Sequence, residues 1–287
     1  MRKRPFLSCP FTRRESCLEG SMPKHERRKL RKRSVRFCMI KIKTPAEIDK
    51  MHQGGRILAR ILDNIGRSIH AGMRTEEIDE MAEKALNSEG VRSAFKGYNG
   101  FPASICVSVN EEVVHGIPDK REIKEGDIVS LDFGLIKDGF YVDSATTVAI
   151  GNVISEGRRL LIVCQNALLA GIKKAWPGNS LNDIAGAVQT VAEENGFSVV
   201  RDFVGHGVGR SLHEEPQVPN FVVPGNNVLL KEGMTLAIEP MVNMGSPFVR
   251  VLENGWTVVT QDGKPSAHFE HTIAITKKGP MILTLCQ

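Results

Sequence analysis

No stretch of this 287-residue chain strings together about 18 apolar residues, so no membrane-spanning helix is expected. The six cysteines, Cys9, Cys17, Cys38, Cys106, Cys164 and Cys286, include no CxxC pair. Their scatter argues against a zinc ribbon or a disulfide framework and makes a reducing cytoplasm the expected location. No apolar run of about 7–15 residues follows the basic start, which argues against a secretory leader. Acids are scarce in one region only. Residues 1–40 hold thirteen Lys/Arg against three Asp/Glu, while the other 247 hold twenty-five against thirty. The net charge of +5 therefore hides a mildly acidic body behind a basic tail.

Such a tail can meet RNA or another anionic surface, serve as an organellar presequence, or be a disordered extension. The strand-like Met39-Ile40-Lys41-Ile42-Lys43 leads straight into the first good helix. The division expected is a basic, disordered extension over 1–38 and one folded domain over 39–287, with Met39 as an alternative start.

What the chain does contain is a repeat. Gly72, Ile78 and Gly90 recur as Gly178, Ile184 and Gly196, at an offset of 106 residues. Lys124-Glu125-Gly126 recurs as Lys231-Glu232-Gly233, and each triplet leads into an apolar run that ends in an acid, Asp132 or Glu239. The offset is too long for a solenoid and fits a duplicated half-domain with a site at the seam.

Helix signals come in two pairs. Thr44, Pro45 and Glu47 open the first, and an apolar stripe from Ile48 to Ile69 carries it toward Gly72, which should end it. The second is predicted from about Thr75 to Ser88. The third should run from Ser155 to about Ala175, and the fourth from the Ser180/Asp183 box to Asn195. Strand patterns fall near Ile105–Val109, Val113–His115, Ile128–Ile136, Tyr141–Ile150, Met234–Glu239, Thr257–Thr260, His268–Thr276 and Met281–Leu285. Pro216–Pro224 reads as a loop over the site. The fold class is α+β or mixed α/β, with helices on one face of a largely antiparallel sheet.

The acids point to chemistry. Asp138-Gly139 is a strong two-residue hairpin signal. That turn sets Gly134 opposite Asp143 and Asp132 opposite Ala145, so both aspartates share one face. Two such carboxylates repel unless a cation lies between them. His206 stands among the glycines of Gly205-His206-Gly207-Val208-Gly209, Glu239 precedes Pro240, and Glu270 lies in His268-Phe269-Glu270-His271. Taken singly, Glu270 reads equally well as a surface acid, and His271 faces the other way. Together, Asp132, Asp143, His206, Glu239 and Glu270 make an oxygen-rich set suited to Mn, Fe or Co, with Zn acceptable. Bridging carboxylates suit two divalent metal ions about 3.5–4 Å apart.

These motifs, together with Val114-His115-Gly116-Ile117-Pro118 and His213-Glu214-Glu215-Pro216, resemble the type I methionine aminopeptidases over about residues 40–287. The resemblance implies a duplicated pita-bread fold, with a mixed sheet covered by two pairs of helices. It implies that Asp132, Asp143, His206, Glu239 and Glu270 hold two divalent metal ions, that Glu239 handles the proton of the attacking water, and that His115 and His213 contact the substrate amide. Tyr98, Phe101, Cys106 and Trp256 would line the methionine pocket. Phe95 and Leu212 depart from the family pattern there.

The implied reaction removes methionine from nascent polypeptide N-termini whose second residue is small, with transient ribosome contact. Neither DNA nor membrane is an expected partner, and a monomer is expected. The alternatives are a Pro-specific peptidase of the same fold and a non-catalytic binding protein that keeps it.

Overall fold

The computed structural model describes residues 39–286, and the expectations for the basic extension lie outside them. Helix α1 (Pro45–Ser68) opens as its sequence dictates. Thr44 Oγ1 accepts from Glu47 N while Glu47 Oε2 accepts from Thr44 N, so two orphan amides of the first turn are satisfied. Its end differs from expectation: Ile69 is already extended, and Gly72, at φ 92°, belongs to the turn that follows. The reason is a long-range bond, Gly72 N to Ile123 O at 2.8 Å, which the helix must unwind to reach. Helix α2 (Thr75–Glu89) stops at the left-handed Gly90. Helices α3 (Ser155–Lys173) and α4 (Leu181–Glu194) form the second pair, and the Ser180/Asp183 box opens α4.

The first half supplies strands β1 (Arg92–Ser93), β2 (Cys106–Val109), β3 (Glu112–Val114), β4 (Ile128–Lys137) and β5 (Phe140–Ala149). Next come β6 (Ser198–Val199), β7 (Gly205–Gly207), β8 (Glu214–Val218), β9 (Thr235–Ile238) and β10 (Met241–Asn243). The last are β11 (Val249–Val251), β12 (Val258–Thr260), β13 (Ser266–His268), β14 (Glu270–Thr276) and β15 (Gly279–Ile282). The main sheet runs β1-β4-β5-β14-β9-β7-β8, with β2 on β4 and β15 on β14. Two small sheets, β13-β10-β6 and β11-β12-β3, flank it.

The class is α+β, with one refinement. Every pairing among the described strands is antiparallel, so the mixed sheet implied by the resemblance is an antiparallel one. Two local expectations are corrected. The Pro-rich stretch begins as strand β8, paired to β7, and only the part after Val218 is loop. The run His268–Thr276 is interrupted at Phe269, which divides it between two sheets.

Each half has its own core. Met51, Leu58, Ile78, Leu131 and Phe133 lie in the first, beneath α1 and α2. Leu160, Ile184, Val188, Leu236 and Ile273 lie in the second, beneath α3 and α4. Each such side chain, fully buried, contributes roughly 1.5–3 kcal/mol. The helices take one face of the sheet, and the face away from them is left for chemistry.

Backbone bonds repeat with the sequence. Ile123 N bonds Met73 O at 2.8 Å in the first half, and Leu230 N bonds Asn179 O at 2.8 Å in the second. Gly126 N reaches Ile150 O and Gly233 N reaches Ile275 O, each at 2.9 Å. The halves are two copies of one structural unit, joined where β5 meets β14.

Candidate metal centre and substrate pocket

Asp138 and Gly139 take φ of 49° and 80°, the left-handed pair that a tight hairpin between right-twisted strands needs. The register is the expected one, with Gly134 opposite Asp143 and Asp132 opposite Ala145. Ala145 in turn faces Glu270 on β14. Glu239 follows Ile238, whose partner is His271, and so lies beside Glu270. Asp132, Ala145, Glu270 and Glu239 therefore form one row across four strands.

A second row lies two residues along the strands, on the same face. It runs Gly134, Asp143, Thr272, Ala237 and His206. The small residues Gly134 and Ala237 alternate with the functional ones. A Cβ on Gly134 would stand 2.8 Å from Phe95 Cε1 and 3.2 Å from Asp143 Oδ1, so this position excludes a side chain.

Ligand atoms of Asp143, His206 and Glu270 all lie within 4.8 Å of one another. Glu239 and Asp132 fall outside that mutual set and border it. Glu239 Oε1 is 3.5 Å from His206 Nε2, and the charge of Asp143 bears on Asp132. Burial first, then repulsion from the neighbouring acids, holds Asp132, Glu239 and Glu270 far above the usual carboxylate range. Burial lifts Asp143 to about 7.

Among the described residues the ion-pair partners of these four acids are imidazoles alone, His206 and His268. Asp132 Oδ1 and Glu270 Oε1 are buried without any hydrogen-bond partner among the described residues. His206 sharpens the point. Its Nδ1 sits 2.9 Å from Gly207 O, and a carbonyl only accepts, so Nδ1 carries the proton. Burial pushes the ring down to about 4, so Nε2 presents a lone pair. That lone pair faces Glu239 Oε1 at 3.5 Å and Asp143 Oδ2 at 3.9 Å. Lone pairs converging in a buried space need a cation between them, and this donor set fits a divalent metal.

Residues 49–277 match the model of metallopeptidase family M24. The chain is 51% identical over 246 residues to methionine aminopeptidase 1 of Bacillus subtilis, across 86% of this chain and 99% of that one. The crystal structure of methionine aminopeptidase from Thermotoga maritima is 48% identical with a TM-score of 0.84, over 86% of this chain and 100% of that one. The chain belongs to the methionine aminopeptidases of family M24. An X-Pro aminopeptidase of Thermotoga maritima, 23% identical with a TM-score of 0.69 over 87% of this chain and 64% of its own, shares the fold alone. Family membership and the buried donor cluster together support use of a divalent metal.

The residues expected to line a methionine aminopeptidase pocket come together. Phe101, Cys106 and Trp256 form one apolar cluster with Ala94, Phe95, Ala103 and Leu212, and Tyr98 packs against it. Phe101 meets Trp256 edge to face, with ring centroids 5.2 Å apart. Cys106 pairs with Asp132 across the sheet, which joins this cluster to the acid row. Both departures from the family pattern, Phe95 and Leu212, are part of this wall.

His213 stands between pocket and acids. Tyr98 Oη lies 2.8 Å from its Nδ1, and its ring centroid is 4.3 Å from that of His206. His115 follows β3 at φ 60° and meets Phe203 edge to face. Three contributors were not singled out from the sequence. Thr272 inserts its hydroxyl into the ladder at Asp143, Asn220 Nδ2 donates to Glu239 O at 3.1 Å, and His268 approaches Glu239. Only His268 left a signal in the sequence, two residues before Glu270.

Proposed function

We propose that this protein removes the amino-terminal methionine from polypeptides whose second residue is small. The observation that carries the reading is the adjoining of two features on one sheet face. Asp143 and Glu270 converge with a lone-pair-bearing His206, Asp132 and Glu239 border them, and the apolar cluster begins one strand away, at Cys106.

Asp132, Asp143, His206, Glu239 and Glu270 would hold the metal, with two ions, of Co, Mn, Fe or Zn, as the number that shared carboxylates suit. Bound there, divalent ions lower the pKa of water and polarise a carbonyl. The chain's own residues supply the rest. Phe101, Trp256, Tyr98 and Cys106 enclose an unbranched thioether, which aromatic edges and a thiol accommodate well. The side chain so held sets its α-amine and scissile carbonyl over the acid row, the positioning that turns binding into rate. Glu239 takes up and returns the proton of the attacking water. His213, oriented by Tyr98, and His115 offer ring nitrogens to the substrate amide and to the charge that develops on its carbonyl oxygen.

The substrates in the cell would be nascent chains in the cytoplasm, met near the ribosome by a monomer. Release of Met from Met-Ala-Ser peptide, with and without Mn²⁺ or Co²⁺, tests the reading, with Ala-Pro as the control. Metal-dependent Met release is expected. Cleavage of Ala-Pro alone would favour a Pro-specific peptidase, and no turnover with any metal would favour a binding protein.

A further inference from the structure

The residue that mirrors Asp143 in the second half of the chain is His268. Ala145 faces Glu270 where the two halves meet. The offset that carries Ala145 to Glu270 also carries Asp143 to His268 and Thr147 to Thr272. The hydrogen bonds repeat with it. Thr272 Oγ1 accepts from Asp143 N at 2.9 Å and donates to Asp143 O at 2.8 Å. Thr147 Oγ1 accepts from His268 N at 2.9 Å and donates to His268 O at 2.8 Å.

Ser130 faces Thr147 and Met241 faces His268, which places His268 in the row next to Asp132, Ala145 and Glu270, on their face. The internal symmetry thus gives the acid face a sixth functional group.

This imidazole is 1% exposed, and neither ring nitrogen has a hydrogen-bond partner among the described residues. Buried polar groups in native folds are paired, so an orphaned pair of nitrogens implies a role. Its Nε2 is 3.8 Å from Glu239 Oε2, too long for a hydrogen bond and within reach of a small carboxylate shift or one bridging water. Glu239 therefore sits between two imidazoles, His206 on Oε1 and His268 on Oε2.

The two rings differ. Nδ1–H of His206 is committed to Gly207 O, so that ring meets Glu239 with a lone pair. No such bond fixes the tautomer of His268, and its Nε2 can carry the proton. One imidazole can share a cation with Glu239, and the other is placed to donate to it after a small shift.

We propose that His268 is a positioning residue whose Nε2–H holds Glu239 Oε2 and turns Oε1 toward the cation site shared with His206. The inference rests on reading the centre as a metal site. Hydrogen-bond donors behind a ligating carboxylate orient it and raise metal affinity.

Calorimetric titration of metal-free protein with Mn²⁺ or Co²⁺, for wild type, His268→Leu and His268→Gln, tests it. His268→Leu should lose roughly 10–100-fold in affinity, while His268→Gln, which keeps an N–H donor, stays within about threefold of wild type. Metal-free His268→Leu should melt at or above the wild-type temperature, because an apolar group replaces an unpaired polar one. Equal affinity in all three proteins overturns the inference. So does a His268→Leu protein that melts lower without metal and is not rescued by His268→Gln, which would assign a purely structural role. Absence of metal uptake by the wild type would instead overturn the metal-centre reading itself.

Discussion

Cys106 lies directly opposite Asp132 across the β2–β4 ladder, so the floor of the apolar pocket and the first acid of the metal row are neighbours on one sheet face. The β2–β4 pairing thereby fixes the apolar cluster beside Asp132. Cys106→Leu extends the side chain into the cluster of Phe101 and Trp256 and shortens the pocket. We expect KM for Met-Ala-Ser to rise on the order of 10-fold or more, with a smaller change in kcat, because a methylene-scale misfit changes binding more than chemistry. Steady-state kinetics with metal in excess measure both. An unchanged KM would place the methionine side chain elsewhere.

Metal-free protein should lose stability as pH rises through 7. The folded pKa values of Asp132, Asp143, Glu239 and Glu270 lie above their unfolded values, mainly through burial and, for all but Asp143, also through mutual repulsion. A raised carboxylate contributes stability at low pH that disappears as pH climbs through its folded pKa, which is about 7 for Asp143. Burial lowers the pKa of His206 and His268, which works in the opposite sense below about 6.5 and is exhausted above it. A loss on rising through 7 therefore belongs to the carboxylates. Melting curves with chelator and with Mn²⁺ check this, and the metal-loaded protein should not show the decline.

Asp132→Asn tests the same electrostatics from the other side. The amide removes one buried charge and its repulsion on Glu239 and Glu270. Without metal the variant should be as stable as wild type or more so, by on the order of 1–2 kcal/mol. With metal it should lose most Met release. Denaturant melts beside peptide assays separate the two effects, and a variant that is destabilised without metal would contradict the account.

Gly134→Ala should damage the centre from beneath. The new Cβ would crowd Phe95 Cε1 and Asp143 Oδ1 together, beside the buried Ala94. Overpacking of this kind costs about 1–3 kcal/mol. Shortening the ring as well, in Gly134→Ala/Phe95→Val, should recover part of the stability and activity. No recovery would mean that the clash with Asp143 dominates.

Lys43 ties the amino-terminal segment to the His213 region. Its Nζ is 2.6 Å from Glu214 Oε2, with both side chains nearly inaccessible. Lys43→Met should destabilise by about 3–5 kcal/mol by leaving a buried carboxylate with a weaker partner. A chain starting at Met39 keeps this pair and should retain full peptide activity. Thermal melts and Met release on the two proteins give opposite results if the pair matters.

How much was legible in advance follows the range of the interactions. Thr44 with Glu47, Ser180 with Asp183, and the Asp138-Gly139 turn act over two to four residues, so composition alone settles them. The hairpin register follows from the turn, and with it the shared face of Asp132 and Asp143. The doubled Lys-Glu-Gly triplet disclosed two copies of one unit because each copy needs a positive-φ glycine at the same place, Gly126 and Gly233.

Local rules could not supply the register between distant strands. Nothing near Glu270 in the sequence says that Ala145 lies across from it, nor that Glu239 lies beside it. The place of His206 depends on pairing with Ala237 and on an irregular register at Gly207. The interruption at Phe269, which turns His268 from a residue of a long strand into the partner of Thr147, is decided by two sheets competing for one segment. The chain alone determined which groups could bind a cation and which face of a hairpin two of them share. Tertiary structure decided that Asp143, His206 and Glu270 meet with Asp132 and Glu239 at their border, because the registers across β5, β14, β9 and β7 are fixed only when both cores close behind the sheet.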